Sequence, residues 1–293
     1  MATGLRSTPA VILLSALFAL TSAELWLRAY PDSDNIGITL SSQAWVRQCW
    51  RTGPDGYREQ PAPGGGAAVV IVGDSFAAGY GLCDPRARFG DRLAEQLRAR
   101  ASVFVVAENG ADTRREWSLL QAFPRRPDVL VLSYLGNDID GAAKGRGLRP
   151  HELPPPGPAL RSVIERSYLA SLLYWRNRNM TGYMEYYRRA WADPDVVREH
   201  LSDLDRFLAL GVPTMVVIWP ITMDPGVTSS YEGLIAGHVR ARGGAALLVS
   251  SLTGDLSVRQ QNVSAHDAHP SAEVHRRVGE VLSQTVLSVL PKQ

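Results

Sequence analysis

Hydrophobic and polar positions fall in blocks along most of this chain rather than in strict alternation. Runs at 67–73, 102–107, 129–134, 213–219 and 245–249 are mostly apolar on both faces and rich in valine. Strands of a parallel sheet read this way, because helices cover both of its sides. Helical patterns lie between the runs. In 89–100, Phe89, Leu93 and Leu97 share one stripe, and in 196–210 Leu201, Leu204 and Leu208 do the same. A last helix over 272–290 opens just after Pro270. Strands alternating with helices predict a doubly wound α/β domain, whose ligands bind beyond the carboxyl ends of the strands.

Two regions depart from that rhythm. From Ser7 to Ala23 no residue is charged, and carried on to Leu27 across Glu24 the segment approaches the roughly 20 residues a helix needs to cross a bilayer. Arg6 before it and Glu24, Arg28, Asp32 and Asp34 after it favour export of the downstream chain. The segment reads as an uncleaved membrane anchor, or as a signal peptide cut near Ala23. The second region, 141–195, is proline-rich over 150–158 and mixes aromatics with arginines over 168–187. It reads as an inserted helical excursion, or as a cap that faces a membrane or an acceptor.

Composition narrows the classes. With 31 Lys plus Arg against 29 Asp plus Glu, the net charge of +2 leaves no dense basic face for nucleic acid. Two cysteines, Cys49 and Cys83, are too few for a disulfide scaffold or a four-thiolate zinc site. In an exported chain these two can pair, provided their Cα atoms come within about 7 Å. A Pro-Gly-rich turn at 61–66 marks a break before the first strand.

The residues just after the strands carry the candidate chemistry. Gly73-Asp74-Ser75 follows the first, Glu108-Asn109-Gly110 the second, and Gly136-Asn137-Asp138 the third. A serine at a strand-to-loop junction can present its hydroxyl to a cleft. Glycine lets a backbone N–H approach a ligand closely, and Asn137 can aim an amide inward. Each segment alone is equally ordinary turn chemistry. Near the C-terminus, His266-Asp267-Ala268-His269 introduces the last helix. A histidine beside a carboxylate can take a proton from a serine hydroxyl. Three donors in one tight loop rarely complete a tetrahedral metal site, so neither metal nor cofactor is expected.

Taken together, in this order, the four segments resemble the SGNH (GDSL-type) hydrolase family from Ala67 to the C-terminus. The resemblance implies a three-layer α/β/α fold with a five-stranded parallel sheet. It implies Ser75 as nucleophile, His269 as general base and Asp267 as its orienting carboxylate. Ser75 N–H, Gly110 N–H and Asn137 Nδ2 become the oxyanion donors. The commonest family spacing puts the acid three residues before the histidine, where this chain has His266; Asp267 stands two before.

The expected organisation is an apolar helix over 1–30, a juxtamembrane segment and linker over 31–66, and a hydrolase-like domain over 67–293 carrying the insertion at 141–195. The expected activity is that of an exported serine esterase of the cell envelope, acting on acyl esters of a carbohydrate or lipid. Its membrane partner is engaged through the N-terminal helix, and nucleic acid is not a partner. Transfer of the acyl group to an envelope polysaccharide by the same residues is the alternative. A catalytically idle binding protein is a third reading, against which all four reactive positions are intact.

Overall fold

The computed structural model describes residues 9–150, 155–175 and 180–290. β1 (Ala67–Gly73), β2 (Ala101–Ala107), β3 (Val129–Tyr134), β4 (Thr214–Ile218) and β5 (Ala245–Leu248) form one parallel sheet, ordered β2-β1-β3-β4-β5. Each strand keeps the expected position, with no end moved by more than one residue. Pro213 lacks an N–H and contributes only its carbonyl, to Leu130 N at 2.9 Å. Val69 to Val72 and Val129 to Leu132 are fully buried, as strands covered on both faces must be.

α1 (Pro9–Ala29) and α2 (Leu40–Cys49) precede the sheet. α3 (Ser75–Ala78) and α4 (Phe89–Leu97) join β1 to β2, and α5 (Thr113–Ala122) joins β2 to β3. The insertion holds α6 (Asp140–Gly145), α7 (Pro158–Ile164), α8 (Tyr168–Trp175) and α9 (Met180–Ala192). α10 (Pro194–Leu208) leads into β4, and α11 (Pro225–Ala241) joins β4 to β5. The short α12 (Val249–Leu252) and α13 (Val258–Gln261) precede α14 (Ala272–Val289). α4 and α14 pack together on one side of the sheet, while α5, α10 and α11 cover the other. This is the three-layer α/β/α architecture.

Residues 31–66 are built into that body. Arg58 is 2% exposed, and its guanidinium donates to the carbonyls of Gly79 at 2.6 Å and Leu82 at 2.5 Å, in the loop after α3. Burial and the nearby Arg88 lower its pKa to about 10, so it keeps its charge at neutral pH. Cys49 at the end of α2 is bonded to Cys83 in the same loop, with Cα atoms 4.6 Å apart. The turn at 61–66 is also held, by Gly65 N donating to the Arg98 carbonyl at 3.1 Å.

α1 behaves differently. It has no buried residue, yet its last turns dock on the insertion. The Glu24 carboxylate accepts from the Tyr168 and Leu169 backbone N–H groups and the Ser167 hydroxyl. Arg28 donates to the Arg166 carbonyl at 2.9 Å.

Candidate active site

In this strand order the connections from β1 and β3 leave in opposite directions, which opens a crevice between their carboxyl ends. Asp74, the first residue beyond β1, caps α3 by accepting from Phe76 N at 2.9 Å. Its other oxygen accepts from Asn137 Nδ2 at 3.2 Å, so one buried carboxylate ties the loop after β1 to the loop after β3. Burial pushes the Asp74 carboxyl above its ordinary value, while these two donors and His269 pull the other way.

Ser75 starts α3, and its Oγ lies 2.9 Å from His269 Nε2. His269 Nδ1 lies 2.5 Å from Asp267 Oδ1, and the same oxygen accepts from the His269 backbone N–H at 3.0 Å. An acceptor at Nδ1 fixes the proton there, which leaves Nε2 bare and facing the serine hydroxyl. The histidine ring packs between Phe76 and Tyr80, with centroid separations of 5.2 and 4.8 Å. Burial disfavours the imidazolium, but the Asp267 charge and hydrogen bond outweigh it and raise the His269 pKa above 6.5. Burial likewise works to raise Asp267, yet His269 and the Ser33 hydroxyl hold it below its ordinary value.

Gly110 stands at φ +74, and a Cβ there would meet nothing within 4 Å. The left-handed backbone favours glycine. Ser75, Gly110, Asn137 and His269 line one cleft of about 830 Å³. The structure therefore brings Ser75, Asp267 and His269 into one hydrogen-bonded chain beside Gly110 and Asn137. Asp267 is the acid in contact, two residues before the histidine; at the more usual position, the His266 backbone N–H donates to Ser264 Oγ. Among the described residues no group of three or more His, Cys, Asp or Glu can hold a metal ion.

Residues 71–277 match the sequence model of the GDSL-like Lipase/Acylhydrolase family. The chain belongs to that family. It is accordingly a hydrolase acting on ester bonds. Among solved structures, this GDSL-family chain is similar to an extracellular lipase from Streptomyces rimosus, at 13% identity over 75% of this chain and 99% of that one, with TM-score 0.47. It is also similar to a carbohydrate acetylesterase family member from Sinorhizobium meliloti, at 17% identity over 76% and 99%, with TM-score 0.43. No curated protein sequence matches it.

Two sets of contacts in this GDSL-family cleft lie outside the sequence reading. The first comes from α9, whose Tyr183, Met184 and Tyr187 line the cleft together with Lys144 and Arg149. The mixture of aromatics and arginines in the insertion was the available signal. The second comes from the segment after α1. The Ser33 hydroxyl donates to Asp267 Oδ2, and Asn35 Oδ1 accepts from Ala268 N at 2.6 Å. Nothing in the pattern of 31–66 pointed to these, since they join positions more than 230 residues apart.

Proposed function

We propose that this GDSL-family hydrolase is a serine esterase that cleaves an acyl ester of a carbohydrate or lipid, with Ser75 as nucleophile, His269 as base and Asp267 as its orienting acid. The observation that carries the reading is the unbroken run of hydrogen bonds Ser75–His269–Asp267 at the floor of the cleft. Serine is a weak nucleophile unless a base takes its proton as it attacks. Here Nε2 accepts that proton, and Asp267 stabilises the imidazolium that forms. Oγ adds to the ester carbonyl, and the resulting oxyanion is met by Ser75 N–H, Gly110 N–H and Asn137 Nδ2. One hydrogen of that amide is engaged by Asp74, which holds the other in place for the oxyanion. Collapse expels the alcohol, which takes the proton from His269. A water then repeats the sequence on the acyl-enzyme and releases the acid.

In the same reading the hydrolase works at the cell envelope, held by α1. With 21 residues and no charge before Glu24, it is long and apolar enough to cross a membrane. Glu24 and Arg28, just past the candidate cut near Ala23, dock on the insertion and fix where the helix leaves the body. The Cys49–Cys83 bond suits an exported chain.

Acyl transfer to a polysaccharide hydroxyl is the second reading. It is favoured by a cleft of about 830 Å³ lined by Tyr183 and Tyr187 as well as Ser75, which gives an acceptor room. The test takes the full chain in detergent with a panel of nitrophenyl esters and a fluorophosphonate probe. Wild type should turn over esters and be labelled at Ser75; the Ser75→Ala variant should do neither. Equal labelling of both would refute the assignment. Product analysis with donor alone, then with donor and polysaccharide, separates hydrolysis from transfer.

A further inference from the structure

The acid of the proposed catalytic chain is held from both sides, and one side comes from outside the region shared with the family. Asp267 Oδ1 serves His269, while Oδ2 accepts the hydroxyl of Ser33, a residue that is 1% exposed. The family match begins at residue 71, so Ser33 lies well upstream of it, in the N-terminal part of this chain.

The segment around Ser33 is anchored at many points. Asp34 Oδ1 accepts from the backbone N–H groups of Ile36 at 3.0 Å and Gly37 at 2.7 Å. Its Oδ2 accepts from Thr39 N at 3.1 Å and the Thr39 hydroxyl at 2.6 Å. Thr39 in turn caps α2 by accepting from Ser42 N. Ser42 Oγ meets Tyr80 OH at 2.7 Å, and the Tyr80 ring lies against His269. On the other side, Asn35 holds the loop between Asp267 and His269 through Ala268 N. A strap that begins just past the end of α1 thus grips the Asp267–His269 loop by a hydroxyl and an amide.

We propose that Ser33 is a positioning residue for catalysis: its hydroxyl fixes the Asp267 carboxylate so that Oδ1 stays on His269 Nδ1, making the segment next to the membrane helix part of the working site. The physical reason is the burial of Asp267. A buried carboxylate oxygen without a donor carries a desolvation cost, which the group relieves by rotating toward another donor or by taking up a proton. Either change withdraws Oδ1 from the imidazole. The inference rests on the esterase reading for its kinetic consequences, but its geometric content is independent of turnover.

The experiment uses the full chain in detergent, as wild type, Ser33→Ala, Ser33→Thr and Ser75→Ala. Ester turnover by Ser33→Ala should fall about 10- to 100-fold in kcat with KM little changed, the scale expected for losing a hydrogen bond to a buried charge. Ser33→Thr, which keeps the hydroxyl, should recover most of the loss. In parallel, proton NMR should show the far-downfield resonance of His269 Nδ1–H in wild type and in Ser75→Ala, and its shift or loss in Ser33→Ala. An unchanged resonance together with unchanged kcat in a folded Ser33→Ala would overturn the proposal, as would a Ser33→Thr as impaired as the alanine variant. If wild type turned over no ester, the esterase function would fall, and the resonance alone would still decide the role of Ser33. If Ser33→Ala did not fold, Ser33→Thr would carry the test: normal kcat and resonance support the hydroxyl, and their loss overturns it.

Discussion

His269 and His275 sit on either side of the start of α14, six positions apart and both buried, yet their surroundings drive them in opposite directions. His275 Nδ1 accepts from Phe89 N at 3.2 Å, and its ring stacks on Phe89. Burial and the neighbouring Arg88 lower its pKa to about 3. His200, bonded to Tyr134 OH at 2.7 Å, is lowered to about 3 in the same way, by burial and then by Arg114. His269 is just as enclosed, but Asp267 at 2.5 Å reverses the sign. Enclosure alone makes a neutral packing residue. Enclosure with a held carboxylate raises the pKa instead and leaves one ring nitrogen facing a hydroxyl.

The sharpest way to break this contrast is to turn His269 into a third histidine without a carboxylate. Asp267→Asn should cut kcat by about 10³- to 10⁴-fold, the scale seen when the imidazole loses its tautomer and its counter-charge. Because only the neutral imidazole accepts the serine proton, the acid limb of kcat/KM should lie above pH 6.5 in wild type, where Asp267 raises the pKa. In the variant it should move downward. A pH–rate profile of both proteins checks the pair, and a limb that stayed in place would separate Asp267 from the base.

The opposite substitution tests the packing histidine. His275→Leu should leave kcat/KM near wild type while removing about 1–3 kcal/mol of stability, since Phe89 N–H loses its acceptor. The sign with pH comes from its depressed pKa. Unfolded His275 binds a proton below about 6.5 and the folded residue does not, so wild type loses stability as pH falls through that value. Chemical denaturation at neutral and mildly acidic pH should show the deficit of the variant shrinking toward acid. A constant deficit would mean that His275 is protonated in the fold.

A smaller effect of opposite sign is expected from Glu116, which is buried in α5 with both carboxylate oxygens unpartnered. Burial, then the proximity of Asp74 and Asp112, pushes it well above its ordinary value of 4.5. Folded Glu116 keeps a proton that the unfolded chain releases, so its contribution declines as pH rises past 4.5. Glu116→Gln should therefore gain on wild type with rising pH, by an amount on the order of 1 kcal/mol. Calorimetric melting of both proteins from acid to neutral pH reads it directly.

Much of this arrangement is legible in the chain itself, for reasons that also explain what is not. The strands stand out because valine runs buried on both faces have no other economical reading, and the loops after them can then be searched for functional groups. Ser75, Gly110 and Asn137 fall at those points, and the 266–269 segment shows itself by its residue types ahead of the last helix. α5 and α11 escape because their patterns are diluted: α5 opens on Thr113-Arg114-Arg115-Glu116, and α11 carries Gly226, Gly233 and Gly237. Glycine at such positions lowers helix propensity, and packing on the sheet supplies the difference. Ser33, Asp34 and Arg58 escape for another reason. They are single polar residues in a polar stretch, and their partners lie elsewhere in the fold, so no local period marks them. A sequence read for periodicity takes that stretch for a spacer. The folded chain uses it as a brace.

The Cys49–Cys83 bond gives that brace a dependence on the redox state of its surroundings. It closes a loop across 34 positions, and chain-entropy arguments assign such a closure about 4 kcal/mol, against a typical folding margin of about 5–15 kcal/mol. The loop it closes carries Arg58 and ends beside the tyrosine that backs the imidazole. In a reducing medium the polypeptide lacks the tether that keeps those parts in register, and the margin that holds the brace against the catalytic loops narrows by that amount.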